Sequence, residues 1–362
     1  MAEYKASDAD RELEIVNLAS LEAETAKIMS KGAFGYIQGG AGDEWTMRRN
    51  LEAFNDRQIK PRVLADVEKP DIRTSILGID LTGPVIMVPL AAQGLAHVDA
   101  EKATAKAVAE AGSIMCLSSY ANTSIADVAK AGGGGPQWFQ LYMSKDDGFN
   151  KYLLDEAVNN GAKAIVLTAD ATVGGNREAD TVNHFTFPLP MVNLEKFSGG
   201  QGKGEGISAI YAKALQRIKP SDVEKVASMT NLPVIVKGVQ TPEDAYLAMG
   251  AGAAAVYVSN HGGRQLDGGP GSFDVLESIT NAVRGRVPVI FDSGIRRGQH
   301  VFKALALGAD VVGIGRPAVY GLALGGAKGV LSVFRHIYME LAIVMQLAGT
   351  RTIDDIHKST LL

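Results

Sequence analysis

Eight short, almost continuously apolar runs, each leading into an amphipathic stretch, predict an α/β fold: a (β/α)8 TIM barrel with an N-terminal helical segment and a lid insertion after strand 4. The runs are GPVIMVPL (83–90), SIMCLSS (113–119), QWFQLY (137–142), AIVLTAD (164–170), LPVIVKG (232–238), AVYVSN (255–260), VPVIFDSG (287–294) and DVVGIG (310–315). Continuous rather than alternating hydrophobicity is what strands covered on both faces require. The intervening stretches, such as AEKATAKAVAEAG and GQHVFKALALGA, carry apolar residues at helical spacing and often end on a glycine suited to a left-handed cap. Eight such units close most simply into a barrel, with a doubly wound open sheet as the alternative.

Taken in order, residues 12–57 are charged and helix-prone, with Gly32 and Gly35 expected to break the helical pattern. The whole chain, 1–362, reads as one domain: an N-terminal helical segment over 1–60, the barrel over 61–320 and C-terminal helices over 321–362. One interval departs from the regular spacing. Between AIVLTAD and LPVIVKG lies a stretch rich in Gly, Pro and Asn, so the lid is placed at about residues 171–220. It follows a strand's C-terminal end, the face on which barrels do chemistry. The last helical stretch, SVFRHIYMELAIVMQLAG, is apolar enough for a core or a subunit interface.

Composition excludes several classes. Thirty-six basic against forty acidic residues leave a formal charge of −4, without the basic surplus of a nucleic-acid binder. The one cysteine, Cys116, excludes an internal disulfide and sits in an apolar run as a buried thiol. No HExxH or CxxC spacing suggests a metal site. The opening MAEYKASDADRELEIV has no signal-peptide character, and no apolar run in the sequence approaches bilayer length. A cytoplasmic enzyme without membrane or nucleic-acid partners is the expectation.

The strand ends carry the chemistry. Asn260-His261-Gly262-Gly263-Arg264 leaves the sixth strand, and a strand-end imidazole with room around it suits a general base. Asp170, ending the fourth strand, can orient that ring. Arg177 and Arg264 can converge on a carboxylate, although Glu178 and Asp180 offer Arg177 ordinary ion pairs. Gly294 and Arg296 after the seventh strand, with Gly315 and Arg316 after the eighth, suit a phosphate. Lys237 ends the fifth strand and reads equally as a Schiff-base nucleophile or as a fixed cation. Tyr36, Tyr120 and Tyr142 are pocket hydrogen-bond donors or core tyrosines.

SNHGGRQLD, TADATVGGNRE, FDSGIRRG, GIGRP and YIQGGAGDEWT together resemble the FMN-dependent α-hydroxy acid oxidases, in order and over nearly the whole chain. GDEWT, PLAAQGLAH, QLYMSKDD and GGNR are most similar to the bacterial members that act on L-lactate. The resemblance implies oxidation of L-lactate to pyruvate with hydrogen peroxide as co-product. Glycolate, a longer 2-hydroxy acid, or a monooxygenase outcome are the alternatives, and Ala91 in place of Gly favours the oxidase. It implies His261 as the base with Asp170 as its partner. Arg177, Arg264 and Tyr36 would hold the carboxylate, Tyr142 the hydroxyl, and Tyr120 would line the pocket. Lys237 would stabilise the anionic reduced flavin. Ala91, Ser118, Gln140, Thr168, Lys237 and Ser259 would contact the ring or ribityl chain, Asp292 the ribityl hydroxyls, and Gly294, Arg296, Gly315 and Arg316 the phosphate. Tyr211, in the insertion, would gate the pocket. The resemblance further implies a homotetramer without the haem domain or membrane segment of some relatives.

Overall fold

In the computed structural model the described residues are 4–198 and 203–362. The chain begins with α1 (Ser20–Ile28), α2 (Lys31–Gln38) and α3 (Trp45–Glu52), then a hairpin of β1 (Thr74–Ile76) and β2 (Ile79–Leu81). The barrel strands are β3 (Val85–Met87), β4 (Met115–Ser118), β5 (Gln137–Leu141), β6 (Ala164–Thr168), β7 (Val234–Val239), β8 (Ala255–Val258), β9 (Val289–Phe291) and β10 (Val311–Ile314). They pair in parallel in sequence order, and β10 closes on β3. Seven lie inside their apolar runs, and β7 extends one residue past its own, to Val239. Helices α4 (Ala100–Glu110), α5 (Ile125–Ala131) and α6 (Asp147–Asn159) follow the first three barrel strands. Three short helices occupy the insertion: α7 (Glu178–Val182), α8 (Val192–Ser198) and α9 (Ile207–Tyr211). Then come α10 (Pro220–Met229), α11 (Pro242–Gly250), α12 (Ser272–Val283), α13 (Gly298–Ala306) and α14 (Arg316–Ala348).

Strand periodicity sorts the side chains into two cores. Cys116, Trp138, Val166, Ile235, Tyr257 and Ile290 point into the barrel, and Ile76 and Leu81 of the hairpin join them. Phe139, Leu141, Ile165, Leu167, Val236 and Phe291 point outward to the helices. One inward step further along β4, β5, β6 and β7 stand Ser118, Gln140, Thr168 and Lys237. The apolar barrel core therefore gives way to a polar layer at the C-terminal end, where a site is wanted.

Three sequence expectations need correction. Gly32 and Gly35 do not break the pattern; both lie inside α2. A Cβ on Gly35 would meet Asn183 Nδ2 at 2.8 Å, so it is glycine for close approach of the insertion rather than for a turn. The β1–β2 hairpin went unread because each strand is three residues long. Third, α14 spans 33 residues and is long and apolar enough by length and composition to cross a membrane. Lys328, Arg335 and Glu340 interrupt its sequence, which hid that length. It kinks at Gly325–Gly326 and packs against α4, α13 and α1.

Candidate active site

The polar layer opens into a cleft at the C-terminal end of the barrel. On its floor, Lys237 Nζ donates to Ser259 Oγ at 2.8 Å and lies 3.7 Å from Asp292 Oδ2. Burial would lower the lysine's proton affinity, but Asp292 and Asp170 outweigh it and hold Lys237 above the usual lysine range. A Schiff-base nucleophile must be neutral. The fixed-cation reading of Lys237 therefore fits this setting.

Asp170 accepts a hydrogen bond from His261 Nδ1 at 3.0 Å. That contact depends on Gly238, which adopts φ +105° and whose Cβ, if present, would meet Asp170 Cβ at 2.5 Å. His261 itself adopts φ +59°, an uncommon conformation for a side-chain-bearing residue. Burial is the largest influence on His261 and pushes its pKa down, against the opposing pull of Asp170. Asp170 is held below the carboxylate range: burial raises it, and His261 and Lys237 together outweigh burial. The pair is thus a carboxylate beside a neutral imidazole. Its Nδ1 proton points at Asp170, and its Nε2 lone pair faces Tyr142 Oη at 3.4 Å.

Aromatic rings wall the cleft. Tyr120 stacks on Tyr142 at 4.5 Å, and Tyr211 of α9 meets both edge-on at 6.2 and 5.6 Å. Tyr36 of α2 lies under two cations, 5.7 Å from the Arg177 guanidinium and 5.1 Å from that of Arg264. Arg264 Nη1 donates to the carbonyls of Ile37 and Gly39. Arg177 is 4% exposed, makes only long contacts to Arg264 O and Gln265 Oε1 at 3.4 Å, and leaves Nη1 without a partner. The nearby acids do not neutralise it by contact: Glu178 is exposed, and neither oxygen of Asp180 accepts a hydrogen bond.

The far corner of the cleft has the chemistry of an anion site. Gly294, Arg296, Gly315 and Arg316 line it, with the first turn of α14 beside them. Arg316 donates to the carbonyls of Gly262, Ile37 and Gly39, not to a carboxylate. Burial, then the neighbouring Arg264, pushes Arg316 down to about 9. Burial also lowers Arg296. These two desolvated guanidiniums donate to carbonyls and feel Glu22 only through space, so a phosphate would supply the counter-charge in direct contact.

Most residues expected from the sequence converge here. Tyr36, Ala91, Tyr120, Tyr142, Arg177, Tyr211, Lys237, His261, Arg264 and Asp292 border the cleft with the anion corner. Ser118, Gln140, Thr168 and Ser259 instead lie buried just beneath it. Ser118 Oγ donates to Gln140 Oε1, and Gln140 Nε2 to Thr168 Oγ1. Asn50 went unnoticed. Its side-chain amide exchanges hydrogen bonds with that of Asn260, at 2.9 and 2.7 Å, tying α3 to the His261 loop. No local signal marks it, because its partner is 210 residues away. In the sequence Asp180 reads only as an ion-pair partner for Arg177.

Comparison with known proteins decides the family. The family model described as FMN-dependent dehydrogenase matches residues 25–362. The chain belongs to this FMN-dependent family. Among its relatives, the L-lactate oxidase of Lentilactobacillus hilgardii is 59% identical, over 99% of this chain and 97% of that one. Glycolate oxidase 1 of Zea mays is 42% identical, over 96% of each chain. A Pediococcus acidilactici protein provisionally described as a lactate oxidase has a crystal structure with TM-score 0.95 and 59% identity, covering 99% of this chain and 98% of that one. FMN dependence of the family agrees with the donor set: a buried cation and polar layer at the floor, and an arginine–glycine corner for a phosphate.

Proposed function

We propose that this family member is an L-lactate oxidase, converting L-lactate and O2 to pyruvate and hydrogen peroxide. The observation that carries the reading is the neutral, carboxylate-backed His261 opening onto the same cleft as two guanidiniums that no carboxylate pairs with. A 2-hydroxy acid answers both halves, with an anion for the arginines and a carbinol for the base. The identity of the acid follows relatives such as the L-lactate oxidase of Lentilactobacillus hilgardii, 59% identical to this chain.

Arg177 and Arg264 bind the carboxylate, with Tyr36 fixed between them. Tyr142 holds the substrate hydroxyl beside His261 Nε2. Oxidising the carbinol releases two electrons and two protons. His261 takes a proton on Nε2, and Asp170 stabilises the imidazolium that results. Tyr120 and Tyr211 keep water from the reacting carbon. When bound, FMN would supply the two-electron acceptor, with O2 as the final oxidant. Arg296, Arg316, Gly294 and Gly315 would hold its phosphate, Asp292 its ribityl hydroxyls, and Lys237, Ala91, Ser118, Gln140, Thr168 and Ser259 its ring and ribityl chain. Tyr211, carried by the insertion, gates entry.

The test is anaerobic mixing of the yellow holoenzyme with L-lactate. The flavin absorbance should bleach, then return on admitting air with formation of peroxide and pyruvate. Acetate and CO2 as products would make the enzyme a monooxygenase, and a larger kcat/KM for glycolate would favour the maize-like activity. The enzyme works as a homotetramer. The exposed Met339, Ile343 and Leu347, spaced along one face of α14, support that reading, and light scattering tests it.

A further inference from the structure

Asp180 lies in the first turn of α7, three residues after Arg177. It is 9% exposed, and neither carboxylate oxygen has a hydrogen-bond partner. Arg177 Nη1, equally buried, has none either. A carboxylate taken out of water without donors is costly unless nearby charge compensates it. Burial raises the proton affinity of Asp180 and outweighs the opposing pull of the Arg177 and Arg264 guanidiniums, so those two cations compensate its charge only in part, and Asp180 in turn supports the charge on both. Its compensation is therefore through space, not by contact. α7 also packs against α2, the helix that carries Tyr36, over whose ring both guanidiniums lie.

Two guanidiniums and one carboxylate leave this part of the cleft with a net charge of plus one. The carboxylate of a monoanionic acid brings it to neutrality. A dianion overshoots to minus one in a desolvated setting, where excess charge is penalised. We propose that Asp180 is the resident counter-ion of the Arg177–Arg264 pair and makes the site select monoanionic over dianionic acids. This rests on the proposed role of the arginines as the carboxylate clamp. Asp180 does not touch the substrate; it is a positioning and specificity residue that acts through the two arginines.

Oxalate and oxamate test this, because they share one planar shape and differ by one charge. Each is titrated into the resting FMN-loaded enzyme at neutral pH, and binding is read from the flavin absorbance. Asp180→Asn should shift the ratio of the two dissociation constants toward oxalate by about tenfold or more. Asp180→Glu, which keeps the charge, should leave the ratio within about threefold of the parent. An unchanged ratio in Asp180→Asn, or an equal shift in Asp180→Glu, overturns the proposal. If Asp180→Asn does not retain flavin, Asp180→Ser is read in the same way. Loss of flavin from both neutral variants but not from Asp180→Glu makes the carboxylate structural and also overturns it. Binding is measured without turnover. An enzyme that obeys the charge rule yet leaves L-lactate unoxidised would refute the proposed substrate alone.

Discussion

Replacing Asp170 with Asn should leave FMN bound and slow substrate oxidation severely. The carboxylate sits 3.0 Å from His261 Nδ1, inside a wall that excludes water. When Nε2 takes a proton, the imidazolium gains the attraction of that charge. At an effective dielectric constant near 20, a pair at this separation is worth about 5 kcal/mol. Asparagine still accepts the Nδ1–H, which offsets part of the loss and leaves about 3–5 kcal/mol, or roughly 10²- to 10⁴-fold in rate. The assay is stopped-flow bleaching of the flavin by L-lactate without oxygen, at saturating substrate. The pH dependence carries a second signature. Asp170 raises the proton affinity of His261, so its loss moves the acidic limb of kcat/KM to lower pH while the plateau falls. Unchanged bleaching, or an acidic limb that moves to higher pH, would refute the assignment of this pair.

His261→Gln should keep the flavin spectrum and lose more than about 10³-fold in the same bleaching rate, since glutamine has no basic lone pair; wild-type turnover would remove His261 from the mechanism. Arg316→Gln should weaken FMN about 10- to 100-fold in a fluorescence titration of the apoprotein, as expected for one charge-assisted contact. His300 stacks on Phe54 at 4.3 Å, accepts from Arg296 N at 3.2 Å, and burial lowers it to about 4. The fold favours its neutral form, so the linked stability is full above the unfolded value near 6.5 and is lost as pH falls through 4. The loss is about 3 kcal/mol, and thermal melts of His300→Asn between pH 7 and 4 should show a shallower acid decline than the parent.

Much of this was legible in the sequence because β-strand and helix periodicities are local. The eight runs mark β3–β10, and left-handed glycines such as Gly252 and Gly308 end α11 and α13 as their position after an apolar turn implies. The polar residues closing those runs were also readable, since a parallel barrel sends every strand end to one face. Gly32 and Gly35 were misread because glycine looks alike whether it ends a helix or admits a neighbour. Only the approach of Asn183 distinguishes the two.

The sequence by itself determined the fold, the end of the barrel that bears the site, and the residue types gathered there. Tertiary structure decided how those residues behave. Lys237 is a fixed cation because Asp292 and Asp170 face it across the barrel. His261 is a neutral imidazole because burial outweighs Asp170, and Asp170 reaches it only where Gly238 carries no side chain. Arg177 keeps Nη1 without a hydrogen-bond partner because Asp180, three positions along the chain, acts on it through space and not by contact. Residue type and spacing are written in one dimension, whereas charge states depend on distance and desolvation, and those exist only once the chain has closed.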